Sequence, residues 1–378
     1  MSVLPPLYAG WMGKVLPGTI PGESRATCDK CAMCARSDER PGNGALFFDP
    51  HVKCCSYLPV LHNFRVGGIL ADEDPALSQG RASVEARLEA RIEVTPFGFG
   101  QSAPYDLLYT HAKEAFGISR NLRCPHYIDE EGGRCGIWRH RNAVCTTWFC
   151  KHERGAIGLK FWRTLLQLLS RVDVGLSRWC VLELDIGTRA LESLFPIDSA
   201  NQERPKLNAK QIDQIADLEA YRLHWGKWLG REREFYRECA RLVNDLSWED
   251  IARICGPEVL VFTKLVQEAY DRLTSSQVPE IVRLKPIQIM GMGQDWVQVT
   301  AYSGNDPLKL PRKLLEVLPY LQSQPISEAL QAIEREKGLR LSRDVVRKLI
   351  DFDILAAEPE AERLNFADVP GDVNGRCG

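Results

Sequence analysis

Nine of the thirteen cysteines in this 378-residue chain fall between Cys28 and Cys150, where even scatter would place about four. Cys28, Cys31 and Cys34 follow one another with two residues between them, and after nineteen more comes the adjacent pair Cys54 and Cys55. A second group, Cys124, Cys135, Cys145 and Cys150, is separated by ten, nine and four residues. Thiolate is a soft donor, and four thiolates close a tetrahedral zinc site or hold an iron-sulfur cluster. A C-x2-C step in a tight turn lets two sulfurs converge on one centre. Two such steps in succession offer three sulfurs from one loop and leave the fourth to a distant cysteine. That triplet is nearer to an iron-sulfur loop, where three corners of a cubane are held locally, than to the paired knuckles of structural zinc. It is not the C-x3-C-x2-C spacing of radical-SAM enzymes. Cys124 precedes Pro125, an arrangement that often supplies the remote ligand in ferredoxin-type sites. All nine cysteines are expected metal ligands, with a 4Fe-4S type cluster favoured and zinc the alternative, because both accept four thiolates.

Six of the seven histidines also precede residue 153. His51, His126, His140 and His152 lie within a few residues of candidate thiols, close enough to replace one or to tune one from behind, though a supporting or surface role is the ordinary reading of each. His62 and His111 are weaker candidates. Asp129, Glu130 and Glu131 could do acid-base work beside Cys124, but an exposed acidic turn is the ordinary explanation. Cys180, Cys239, Cys255 and Cys377 are assigned no role. The chain has no Walker loop, no G-x-G-x-x-G after a strand, no G-x-S-x-G elbow and no H-E-x-x-H, so any chemistry falls to the metal. Gly67-Gly68 and the FGFG run at 97–100 read as turns.

The elements that must position these residues change texture twice. Residues 1–155 are mostly loop punctuated by Pro and Gly, with short helices such as GRASVEARLEARIEV, and such a segment needs something besides a large apolar core to hold it, which metal ligation would supply. From 156 to 280 the pattern is helical. Trp162, Leu165, Leu166, Leu169 and Val172 repeat at three- and four-residue steps, as do Leu218, Tyr221, Trp225, Trp228 and Leu229. The tryptophan stripe reads as core. Ser247 opens a capping box, and Gly256-Pro257 stops that helix. In the last hundred residues PIQIM and WVQVT alternate around a GMGQD turn, which predicts a hairpin. Three short helices follow: one marked by Leu314, Leu315 and Leu318 and closed by Pro319, one capped by Ser327 and running to Gly338, and one capped by Ser342. A hairpin with three short helices outlines a winged helix. The expected fold is mainly α with a small β component: a loop-rich, metal-stapled module at 1–155, a helical domain at 156–280, a winged-helix-like α+β domain at 281–358 and a flexible tail at 359–378.

The formal charge of -2, with 26% charged and 44% hydrophobic residues, gives no global attraction to nucleic acid or membrane. The Pro- and Gly-broken N-terminus does not read as a signal peptide, and no apolar run reaches the roughly 18 residues of a membrane span. A cytoplasmic location is expected. In that reducing compartment an odd number of cysteines does not make a disulfide framework.

The stretch CPHYIDEEGGRCGIWRHRNAVCTTWFC, Cys124 to Cys150, resembles the second half of the YkgJ-type cysteine-cluster family, a zinc- or iron-chelating domain. Cys124-Pro125, Gly133 to Ile137, Arg141, Cys145 and Cys150 match in order, with Trp138 where Tyr is usual and Asn142 where Pro is usual. The family's C-x2-C-x2-C-C signature is split here, since Cys34 is followed by Ala35 and the double cysteine stands at Cys54-Cys55. The resemblance covers residues 28–152 and implies chelation without implying a particular reaction. Three functions follow as expectations. The first is a protein with one or two iron-sulfur or iron centres, a metal-dependent oxidoreductase or modifying enzyme acting on an unknown substrate. The second is a structural zinc module in a binding or scaffold protein. The third is a regulator or peptide-binding protein that uses the C-terminal winged helix. Arg340, Arg343, Arg347 and Lys348 sit on or beside the last helix, yet residues 281–378 hold 13 basic against 14 acidic side chains, so nucleic acid is the less favoured partner.

Overall fold

The computed structural model describes residues 4–34, 47–195, 207–322 and 324–357. Cys377 and the tail expected at 359–378 lie outside the described residues. The chain is mainly helical with a small β component, and among the described residues no helix is long and apolar enough to cross a membrane. It divides into two compact units, Met1–Glu153 with Gly158–Thr274, and Arg154–Ile157 with Ser275–Gly378.

The first unit is organised by the helix Gly155–Glu183, 29 residues long. Phe161, Trp162, Leu165, Leu168, Leu169, Val172 and Leu176 recur at three- and four-residue steps along it and are buried, so one stripe of the helix is core. Trp162 and Trp225 are both buried, the latter packed edge-on against Phe235 and Tyr236. Ser247 and Asp250 form the expected capping box at the start of Trp248–Cys255. Gly256, at φ +82°, ends that helix, and Pro257 opens the next, Pro257–Thr274.

Two glycine readings are corrected. Gly67 and Gly68 lie inside the helix Asn63–Ala71, not in a turn. That helix crosses Glu232–Asn244 so closely that a Cβ on Gly67 would stand 1.8 Å from the Tyr236 carbonyl oxygen, and the glycine serves packing. In FGFG only Phe97 belongs to a turn, because Gly98–Phe99 is the central strand between Leu61–His62 and Val94–Thr95. Arg65 of the helix Asn63–Ala71 and Asp173 of Gly155–Glu183, 2% and 1% exposed, form a buried ion pair. The guanidinium donates through Nη2 at 2.9 Å and Nε at 3.3 Å, and the Tyr8 hydroxyl donates to the same carboxylate at 2.6 Å.

In the second unit the expected hairpin pairs Gln288–Met292 with Trp296–Thr300, and Leu308–Pro311 adds a third antiparallel strand. A separate ladder joins Val282–Leu284 to Leu355–Ala357. The helices are Arg312–Val317, Ile326–Lys337 and Arg343–Asp351. Val297 and Val299 of the middle strand meet Leu314, Leu318, Ile333, Val346 and Leu349 in a core of their own. Ser342 accepts from the Val345 amide as expected, but Ser327 is a helix-interior residue, since Pro325 holds the N-cap position.

Candidate metal centre

The first cysteine group is held by a short loop and a turn. The Cys34 amide donates to the Cys31 carbonyl at 3.2 Å, and the Phe48 amide to the Met33 carbonyl at 2.6 Å, which ties the loop to the strand-like segment entering the next turn. Cys54 and Cys55 sit on the single 3-10 turn Lys53–Ser56. The turn is entered through Lys53 at φ +54°, a left-handed conformation that is unusual for a long side chain. The buried lysine ammonium supplies the compensation, donating to the carbonyls of Cys28 at 2.5 Å, Gly133 at 3.4 Å and Gly132. One side chain thus ties the Cys28 loop, the Cys54-Cys55 turn and the glycine turn of the second group.

The second group hangs on a hairpin and a five-residue helix. Tyr127 pairs with Cys135 and Ile128 with Arg134, around a turn in which Gly132 and Gly133 both have positive φ. A Cβ on Gly133 would stand 1.8 Å from the Tyr127 hydroxyl oxygen, so glycine is required there. Cys145 lies in Ala143–Thr147, where the Asn142 side chain accepts from the Cys145 amide at 2.9 Å and donates to the Val60 carbonyl at 3.1 Å. Asn142 therefore caps the helix that carries the thiol.

The two groups meet. The Cys124 amide donates to the Cys55 carbonyl at 2.7 Å. All nine thiols are free and belong to one electrostatic set. Cys28 feels Cys31 and Cys54, Cys34 feels Cys31, and Cys55 feels Cys124, Cys135 and Cys145. Cys145 feels Cys135, Cys54 and Cys28, and Cys150 feels Cys31 and Cys54. Burial first, and neighbouring cysteines after it, push Cys34 and Cys150 up to about 12 and Cys124 and Cys145 well above the ordinary thiol range. The opposing influence is Arg141, which favours the thiolate at Cys54, Cys135 and Cys145. Its guanidinium is buried over the Trp138 ring, 3.5 Å from the centroid, and among the described residues its Nε has no hydrogen-bond partner.

Among the described residues no three His, Cys, Asp or Glu side chains are already drawn into a metal-ion geometry. The side chains gathered here are thiols, so a metal bound among them would be held through sulfur. Clustered, partly buried thiols resist ionisation unless a cation takes the place of their protons. The Arg141 Nε, buried without a partner among the described residues, calls for a hydrogen-bond acceptor beside it.

Two of the histidines, His51 and His140, are bonded to carboxylates. His51 is exposed and bonded to Asp129 at 2.8 Å. His140 Nε2 meets Asp72 at 2.9 Å. His126 is fully buried, its Nδ1 2.7 Å from the Ser83 hydroxyl, and burial together with Arg87 pushes it down to about 3, so it is neutral. His152 is buried with its carbonyl accepting from Arg25. His62 lies stacked near Phe64, and His111 ends an exposed stretch of Ala103–His111. Asp129 is exposed and engaged with His51 and Arg123, and Glu130 accepts from Gln79, which suits the solvated acidic turn.

Sequence reasoning did not single out Lys53 or Asn142 as supports of the site. A lysine beside a Cys-Cys pair gives no local signal, because its three carbonyl partners are set by tertiary packing. Asn142 was legible in principle as a helix cap three residues before Cys145. No family model, no curated protein and no solved structure matches the chain.

Proposed function

We propose that the thiols of Cys28, Cys31, Cys34, Cys54, Cys55, Cys124, Cys135, Cys145 and Cys150 hold one or two iron-sulfur or iron centres that serve redox or modification chemistry on a substrate. The observation that carries this is the meeting of two cysteine groups, some seventy residues apart in sequence, where the Cys124 amide donates to the Cys55 carbonyl at 2.7 Å. When bound, such a centre supplies electron transfer or Lewis acidity. The chain's own residues do the rest. Lys53 fixes the Cys28 loop against the glycine turn. Arg141 offsets the negative charge of the sulfurs, Asn142 orients Cys145, and the Cys124 amide holds the two groups together. Nine thiols exceed the four that one centre takes, so the set suits two four-thiolate centres or one larger cluster. Chelation by residues 28–152 agrees with the likeness to the YkgJ-type cysteine-cluster family. The loop-rich, metal-stapled reading of 1–155, the winged-helix-like reading of 281–358 and a cytoplasmic location belong to the same proposal.

Structural zinc is the second reading, favoured by the short 3-10 turns and two-residue strands that make up so much of the cysteine-bearing segment. The spectrum of anaerobically purified protein separates the two. Iron-sulfur ligation gives a brown protein absorbing at roughly 400 nm, whereas a colourless protein with stoichiometric zinc overturns the iron reading.

A further inference from the structure

We infer that the cavity of about 530 Å³ between the helices Thr188–Leu194 and Leu218–Trp225 binds a phosphate monoester of a small hydroxylated molecule. The cavity lies wholly within the first unit, and none of the nine clustered cysteines lines it, so the assignment stands apart from the metal reading. Its lining carries the guanidinium groups of Arg189 and Arg222, the Thr188 hydroxyl and one carboxylate, Glu219.

The walls are held together by the backbone. The Lys227 amide donates to the Ile186 carbonyl at 3.2 Å, and a Cβ on Gly226, at φ +45°, would stand 2.2 Å from that same oxygen, so glycine is required at this crossing. The Trp228 indole nitrogen donates to the Leu184 carbonyl at 2.7 Å and ties the two segments a second time. Glu219 stands three residues before Arg222, so both lie on one face of their helix, while Arg189 comes from the other helix. Lys227, the third cation of the lining, is paired with Asp185. Arg189 and Arg222 are exposed, and among the described residues neither has a hydrogen bond or an ion pair, even with Glu219. Two unpaired guanidinium groups against one carboxylate leave this concave surface net positive, and a concave surface of one sign draws a counter-ion. Guanidinium forks match phosphate oxygens, and one phosphate dianion answers two of them. Glu219 and Thr188 suit hydroxyl groups on the rest of the ligand, since a carboxylate accepts from them and a threonine hydroxyl both donates and accepts. The volume falls within the usual range for small-molecule sites, roughly 300 to 1,000 Å³, and admits one sugar-phosphate-sized molecule.

The test is calorimetric titration of the full chain with glucose 6-phosphate, with glucose, and with glucuronate, which carries a carboxylate in place of the phosphate-bearing carbon. Glucose 6-phosphate should bind saturably, with glucuronate weaker by about tenfold and glucose weaker still. Arg189→Gln and Arg222→Gln should each weaken glucose 6-phosphate by about tenfold, the factor expected for loss of one charge-assisted contact. Lys14→Gln removes the same charge from an exposed position outside the lining and should leave the affinity unchanged. Both arginines are exposed, so their variants should melt as the parent does. No saturable binding of glucose 6-phosphate, or glucuronate or glucose binding as tightly, overturns the inference. Unchanged affinity in both arginine variants, or an equal loss in Lys14→Gln, overturns it as well. None of these outcomes depends on metal content, so the cysteine reading stands or falls separately.

Discussion

Lys53 and Arg141 show how single cations support a set of clustered thiols. Lys53→Met removes a charged donor from three carbonyls, and at about 1.5–3 kcal/mol for a hydrogen bond to a charged group the first unit should lose about 2–3 kcal/mol in urea unfolding. Unchanged stability and metal retention would show that the three contacts carry little. The Arg65–Asp173 pair should behave differently. Arg65→Met strands a buried carboxylate and should destabilise by about 3–5 kcal/mol, while the double variant Arg65→Met/Asp173→Leu should recover much of that loss. Burial also lowers the pKa of His62 below its ordinary 6.5. The unfolded chain therefore takes up this proton first, so His62's contribution to stability is present above pH 6.5 and is lost as pH falls below it. His62→Gln should reduce the slope of that limb, to which His126, pushed down to about 3, also contributes. The cysteines themselves were legible in sequence, because thiol spacing is local information. Their supports were not, because Lys53 reaches residues 25 and 79 or 80 positions away.

Among the elements, legibility followed length and periodicity. The 29-residue helix, the Ser247 capping box and the C-terminal hairpin were all written in side-chain pattern. The two-residue strands around Leu61, Val94, Gly98, Tyr127 and Arg134 were not, since two residues carry no alternation. Ser327 looked like a cap, but Pro325 two residues earlier already fixes the backbone for the first turn. Gly67 was misread for a related reason, because glycine in a helix at a close crossing has the same local signature as glycine in a turn. The distinction is testable. Gly67→Ala pushes a methyl group into the Tyr236 backbone and should destabilise by about 3 kcal/mol, the upper end for overpacking. Gly10→Ala, in the helix Pro6–Val15 with nothing within 4 Å of the new atom, should stabilise by about 0.5–1 kcal/mol. Thermal melts of the two variants moving in the same direction would contradict this account of the crossing.

At the scale of the whole molecule, the change of texture near residue 155 separates loop from helix, while the compact units divide the chain otherwise. The cysteine-bearing segment and the helices through Thr274 form one unit, and Ser275 onward has a separate apolar core. If metal staples the first, chelation should lower its melting transition and expose residues 24–34 and 47–56 to protease, while the second unit keeps its transition. Loss of both transitions together would argue against a local staple. The most direct measurement is elemental analysis of the full chain purified anaerobically, set beside Cys54→Ser from the first group and Cys145→Ser from the second. The account predicts bound metal in the parent protein and a loss of it in both variants, since thiols from both groups share one neighbourhood. A folded parent protein that carries no metal and takes up neither iron nor zinc on reconstitution would contradict it.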